Sequence, residues 1–211
     1  MVDSRRYAPA TERNRQPILD VLERVLPEAG TVLEIASGTG EHATFFAPRL
    51  GRLQWLPSEP DMDSRASVAA WVKALPSENL LAPLALDVSQ QPWPVEDPDF
   101  ELSEPITAVV NINMLHISAW EMCEYLMAGV QRVLPVGGVL YLYGPFKQDG
   151  KQTAPSNEAF DAMLRDRNPD WGIRELEAVS MIAQQHSLSL TEIVPMPANN
   201  FSVVFRRISE N

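Results

Sequence analysis

A chain of 211 residues, 45% hydrophobic and 21% charged, can bury a continuous core as one domain without metals or disulfides, which excludes the disordered and fibrous classes. Its formal net charge of −11 opposes phosphate backbones and anionic lipid heads, and the basic pairs Arg5-Arg6 and Arg206-Arg207 are too short to reverse that field. Neither nucleic acid nor a membrane surface is therefore an expected partner.

Cys123 is the single cysteine and cannot close an internal disulfide. His42, His116 and His186 have no metal-ligand spacing, so no metal is expected. No apolar run approaches ~18 residues, and Met1 to Tyr7 lacks the apolar stretch of a signal peptide. The expected setting is the reducing cytoplasm. No feature of the sequence specifies an oligomeric state.

In chain order, Asn14 to Leu26 places Ile18, Leu19, Leu22, Val25 and Leu26 at helical spacing, with Pro17 expected in the first turn and residues 1–16 forming an N-terminal arm. Val32 to Ala36 reads as a strand that runs straight into the turn Ser37-Gly38-Thr39-Gly40, and Glu41 to Leu50 as the helix beyond it. Leu53 to Leu56 is a second strand, Asp61 an N-cap for a helix reaching Leu75, and Leu84 to Val88 a third strand. Prolines 92, 94 and 98 break regular structure between Gln90 and Glu104.

Ile106 to Ile112 is nearly all apolar, as a central parallel strand covered on both faces should be. A helix from Ala119 to Leu134 and a strand from Val139 to Tyr143 follow. Residues 147–157 are polar and rich in Gly, Gln and Ser, and read as a lid loop. Glu158 to Arg165 and Arg174 to Gln185 look helical. Ser187 to Val194 and Phe201 to Arg207 are strand-like and close enough in sequence for a hairpin. The expectation is a single α/β domain over residues 1–211 that ends in an antiparallel β-hairpin.

Gly38, Gly40 and Ala43 form G-x-G-x-x-A, which alone suggests the pyrophosphate turn of an NAD(P)-dependent oxidoreductase. Charge argues for another ligand. Glu34, four residues before Gly38, would repel a pyrophosphate but attract the amino group of a zwitterion, and S-adenosyl-L-methionine carries that group. Glu59, followed by Pro60, comes about 20 residues after Gly40, the offset at which a second-strand carboxylate binds ribose hydroxyls. Asp87, followed by Val88, closes a third strand, where it could accept the exocyclic amine of adenine or equally cap the Ser89-Gln90 turn.

Arg6 to Asn14, the turn Glu34-Ile35-Ala36-Ser37-Gly38-Thr39-Gly40-Glu41-His42, the run Asn113-Met114-Leu115-His116-Ile117 and Pro197-Ala198-Asn199-Asn200 carry a resemblance. Together with the three strand-end acids and the terminal hairpin, they make the chain resemble the class I S-adenosylmethionine-dependent methyltransferases over nearly its whole length. Within them it resembles a methyltransferase-like family of unknown function, domain-of-unknown-function group nine-three-eight. The resemblance implies a Rossmann-like, seven-stranded, mostly parallel sheet. It also implies that Ala36, Ser37, Gly38 and Gly40 hold the methionine part, Glu59 and Pro60 the ribose, Asp87 and Val88 the adenine, and Asn111 to Asn113 the sulfonium side. Ala36 stands where the superfamily usually has Gly, and N-I-N-M lacks the N-P-P-Y pattern used on amides.

The function this implies is methyl transfer to a small molecule. A non-catalytic cofactor-binding or scaffold protein is the alternative, and an oxidoreductase a more distant one. His116 is the candidate proton acceptor, although it could also cap the Ile117-Ser118 turn. Tyr7, Arg13 and Asn14 would close the site if the arm folds over it, and Phe146 and Trp171 are further substrate or lid candidates. So acidic a chain favours a cationic or neutral acceptor unless a local field inverts the preference.

Overall fold

A computed structural model describes residues 3–209; the ends of the expected domain, residues 1–2 and 210–211, lie outside the described residues. The chain runs through α1 (Pro9–Val25), β1 (Thr31–Ile35), α2 (Glu41–Phe46), β2 (Gln54–Pro57), α3 (Met62–Ala74), β3 (Ile106–Ile112) and α4 (Glu121–Val133). It continues with β4 (Val139–Gly144), β5 (Phe146–Lys147), α5 (Pro155–Arg167), β6 (Arg174–Glu175), α6 (Leu176–Gln185), β7 (Leu188–Met196) and β8 (Asn200–Arg207).

The main sheet has the order β2-β1-β3-β4-β8-β7. Its first four strands are parallel, and β8 runs antiparallel to both β4 and β7. This is the Rossmann-like methyltransferase sandwich with its terminal hairpin. Residues of β1, β3 and β4 alternate between two apolar layers, as the strand period of two requires. Leu33, Ile35, Val109, Leu140 and Leu142 face α4 and α6, whereas Val32, Ala108, Val110 and Tyr141 face α1 and α2.

The sheet has six strands rather than the expected seven, and prolines explain the loss. Along the outer edge of β2, Trp55 donates to the Asn79 carbonyl and accepts from Leu81 at 2.8 and 2.9 Å. Two residues later Pro57 has no N–H to donate, and Pro83 has none to offer Pro57. The Pro57 carbonyl takes the Leu84 amide instead, at 2.9 Å, and only isolated bridges at Trp55–Leu80 and Ser58–Leu84 survive. The expected third strand is thus an edge segment rather than a ladder.

Two further expectations shift. Helix α1 starts at Pro9, so residues 9–16 of the expected arm are helical and Pro17 lies inside the helix, where it removes the amide that would bond the Arg13 carbonyl. Within residues 147–157, Gln148 and Lys151 bond each other's backbone, and the Gly150 amide donates to Glu175 Oε1 at 2.6 Å. Those bonds hold this segment against β6 and the start of α6. No helix of the described residues is long and apolar enough to cross a membrane.

Candidate functional site

The parallel strands point their carboxyl ends at one edge, and the order reverses between β1 and β3, the place where open α/β sheets bind ligands. A cavity of about 470 Å³ opens there, within the range of cofactor sites. Its floor is the turn after β1. Ala36 takes a left-handed conformation (φ 56°), so the alanine at the superfamily's glycine position keeps the glycine geometry at the cost of some strain. Gly38 (φ 58°) has open space where a Cβ would stand, which lets a ligand approach the backbone. Gly40 differs: a Cβ there would lie 2.7 Å from Val68 Cα, so it is needed for the approach of α3.

Two carboxylates line this cavity. Glu34 is 1% exposed, and its Oε2 accepts from Trp55 Nε1–H at 2.8 Å. Burial pushes its carboxyl up to about 7, against the pull of hydrogen bonds from Trp55 and Ser37 and with a further push from the charge of Glu59. Glu59 is 7% exposed and accepts the Gly38 amide at 2.8 Å and the Asp61 amide at 3.2 Å. Burial raises its pKa as well, while those two amides oppose the rise. A carboxylate has about four acceptor positions, so two remain for a diol. Ser37 ties the turn to the end of β2 through its amide to the Ser58 carbonyl (2.8 Å).

The arm folds over this cavity. The Ala8 amide donates to Glu41 Oε2 at 2.6 Å, the Arg6 amide to Ser67 Oγ at 2.8 Å, and Trp71 Nε1–H to the Arg6 carbonyl at 2.9 Å. Tyr7 is exposed and packs edge-on against Trp71 rather than entering the cavity, but Ala8, Ala10 and Thr11 line it.

A second cavity of about 630 Å³ adjoins the first, and Ala10, Asn113 and Ile117 line both. Its wall includes Asn14, His116, Tyr143, Phe160, Asn199 and Asn200. His116 is 7% exposed, and neither ring nitrogen has a hydrogen-bond partner among the described residues. Burial, with a smaller contribution from the Arg174 charge, lowers its pKa to about 4, so the imidazole is neutral at neutral pH. Its backbone is pinned: Gly172 N–H donates to the His116 carbonyl at 3.0 Å, and Arg174 donates to the Leu115 carbonyl at 3.0 Å and to that of Ser118. Asn14 joins the two cavities. Its Oδ1 meets His42 Nε2 at 2.8 Å on the first side, and on the second it lines the cavity together with Tyr143.

Several sequence candidates stand elsewhere. Asp87 Oδ1 accepts from the Ser89 amide and hydroxyl at 2.9 and 2.7 Å, the turn-capping role, and lines neither cavity. Val88 is buried in the core and Pro60 is exposed. Asn111 donates to the Ile35 carbonyl at 3.1 Å and so ties β3 to β1 behind the site. Asn113 has a left-handed backbone (φ 59°) that aims it at the wall shared by both cavities. Phe146 packs among core residues such as Leu176, and Trp171 sits in a turn closed on Asn168, outside both linings. Sequence reasoning missed Tyr143, Asn157 and Phe160. Arg13, Asn14, Asn113 and His116 of that wall were sequence candidates, whereas the Pro197 to Asn200 run, which also lines it, came without a role. Among the described residues, no cluster of His, Cys, Asp or Glu is arranged to hold a metal.

This combination of sheet order, glycine turn and terminal hairpin defines a class I methyltransferase fold, and comparison with solved structures agrees. An O-methyltransferase family protein from Burkholderia thailandensis superposes with a TM-score of 0.76 at 15% identity, over 96% of this chain and 58% of that one. An O-methyltransferase family 2 protein from Planctomyces limnophilus, solved in complex with apigenin, gives 0.75 at 16%, over 94% and 60%. Human N-acetylserotonin methyltransferase, solved in complex with SAM, gives 0.74 at 11%, over 95% and 53%. The chain thus spans somewhat over half the length of these neighbours. Residues 5–207 match the model of the family described as protein of unknown function (DUF938), and the chain belongs to that family.

Proposed function

We propose that this protein is an S-adenosyl-L-methionine-dependent methyltransferase of small molecules. The observation that carries the reading is the pair of adjoining cavities, one lined by buried carboxylates and one by a neutral histidine, with a shared wall at Ala10, Asn113 and Ile117. The first suits the cofactor: Glu34 would hold the amino group, Glu59 the ribose hydroxyls, and the Gly38 backbone leaves room for close approach. Bound there, the cofactor's sulfonium group supplies an electrophilic methyl carbon.

The chain's own task is then alignment, exclusion of water and one proton transfer. His116, held by Arg174 and Gly172, would take the proton of an acceptor hydroxyl at a ring nitrogen and later release it to solvent. The arm over Ala8 and the turn at Asn113 would keep water from the shared wall. Neighbours described as O-methyltransferases support this choice of chemistry, and the buried Cys123 thiol suits a reducing cytoplasm.

Calorimetric titration with S-adenosyl-L-methionine, and in parallel with nicotinamide dinucleotides, tests the reading. Micromolar binding of the former that weakens in Glu34→Ala and Glu59→Ala is the expected result. Dinucleotide binding, or no binding by folded protein, overturns it. Binding without turnover across hydroxyl, thiol and amine acceptors would favour the non-catalytic alternative.

A further inference from the structure

Charge is divided unevenly between the two cavities. The whole chain has 28 acidic against 17 basic residues, and the first cavity follows that bias with Glu34 and Glu59. The second reverses it: no Asp or Glu lines it, and its one charged lining residue is Arg13 at the mouth. Of the acids adjoining its lining residues, Asp161 is paired with Lys147 at 3.0 Å, and Glu12 and Glu158 are exposed and line neither cavity.

Arg13 itself is exposed and has neither an ion pair nor a hydrogen bond among the described residues. Most other arginines of this chain are engaged: Arg6 with Asp63, Arg24 with Glu192, Arg132 with Glu96, Arg174 with three backbone carbonyls. In so acidic a protein, an unpaired guanidinium at the rim of an acid-free cavity attracts anions and repels cations. Its forked donors match a carboxylate in particular.

The cavity's shape narrows the class further. Phe160, Pro145 and Pro197 give flat apolar surfaces, and the His116 ring meets Phe160 edge-on at 5.6 Å. Side-chain amides at Asn14, Asn157, Asn199 and Asn200 add neutral polar groups.

We infer that the second cavity takes a small planar hydroxy acid, with Arg13 holding its carboxylate and acting as the specificity-determining residue. Placing the hydroxyl at His116 rests on the methyltransferase reading; the preference for an anion rests on the cavity alone. An acidic surface would otherwise favour cationic acceptors, so the local field inverts the preference of the whole.

The test is calorimetric titration of the full chain with three probes of one shape: 4-hydroxybenzoate, 4-hydroxybenzyl alcohol and 4-hydroxybenzylamine. S-adenosyl-L-methionine affinity is measured separately on each variant. The expected result is that the carboxylate binds about 10-fold tighter than the alcohol, as one solvent-screened charge-assisted contact should give. The amine is expected to bind weakest. Arg13→Gln should bring the carboxylate and alcohol together, Arg13→Lys should restore part of the gap, and neither should change cofactor affinity. A preference that survives Arg13→Gln, no preference, preferred binding of the amine, or binding of none of the three overturns the inference. Loss of cofactor binding with the anion preference intact would instead strike the methyltransferase reading alone.

Discussion

Replacing Glu34 by Gln removes a charge from a site that is 1% exposed, and the change should separate stability from binding. The carboxyl rises from 4.5 to about 7 in the folded chain. At about 1.4 kcal/mol per unit, keeping it ionised costs the fold up to roughly 3 kcal/mol at alkaline pH. The folded state holds the extra proton, so stability is full below pH 4.5 and is lost as the pH climbs through about 7. Gln keeps an acceptor for Trp55 Nε1–H, at 2.8 Å from the present Oε2, but brings an NH2 that needs a new partner. The net gain should therefore be about 1–2 kcal/mol at pH 8 and close to nothing at pH 5. Cofactor affinity should move the other way and fall roughly 10- to 100-fold with the lost charge-assisted bond. Urea denaturation at both pH values, paired with calorimetric titration, reads both effects. A Gln variant no more stable than the parent at pH 8, or one that binds S-adenosyl-L-methionine as well as the parent, would refute the reasoning.

Gly38→Ala and Gly40→Ala should diverge: the first meets open space and costs about 1 kcal/mol of backbone strain while weakening cofactor binding selectively, whereas the second, 2.7 Å from Val68 Cα, should cost several kcal/mol and lower the thermal midpoint. His116→Gln should lower kcat for hydroxyl acceptors about 100-fold or more without changing cofactor affinity, checked by steady-state kinetics alongside titration. Because burial depresses the His116 and His42 pKa values to about 4, both favour the fold above pH 6.5, and their contribution is lost as the pH falls from 6.5 through 4. Acid denaturation of His116→Gln, compared with the parent, should show a smaller loss over that window. Trp71→Ala, which frees the Arg6 carbonyl and the Tyr7 ring, should speed amide exchange at residues 6–8 and shorten the residence time of bound cofactor.

What the chain's sequence disclosed follows physical range. Local patterns were legible: Ile106–Ile112 as a central strand, Asp61 capping α3 by accepting the Ser64 amide at 2.7 Å, and the glycine turn after β1. The third strand failed because two prolines on different segments, Pro57 and Pro83, must fall opposite each other before the ladder breaks, and only the folded register shows that. The start of α1 was obscured because Pro17 imitates a first-turn proline although the helix begins at Pro9. For Asp87, the turn-capping alternative visible in the sequence is the one the hydrogen bonds satisfy. The second cavity was the least legible part. Its walls come from Arg13, His116, Phe160 and Asn200, and no spacing rule connects positions so far apart.

One turn of α1 has a kinetic consequence. Ala10 lines both cavities, and Asn14, one turn further on, lines the second and bonds His42 in the wall of the first. A swing of this helix end wide enough to let a ligand leave the first cavity would break the Asn14–His42 bond and shift a wall of the second cavity with it. Exchange of the two ligands would then share a single door, so the slow event of each cycle should be one breathing motion of a helix end, with departure from either room marking the opening of both.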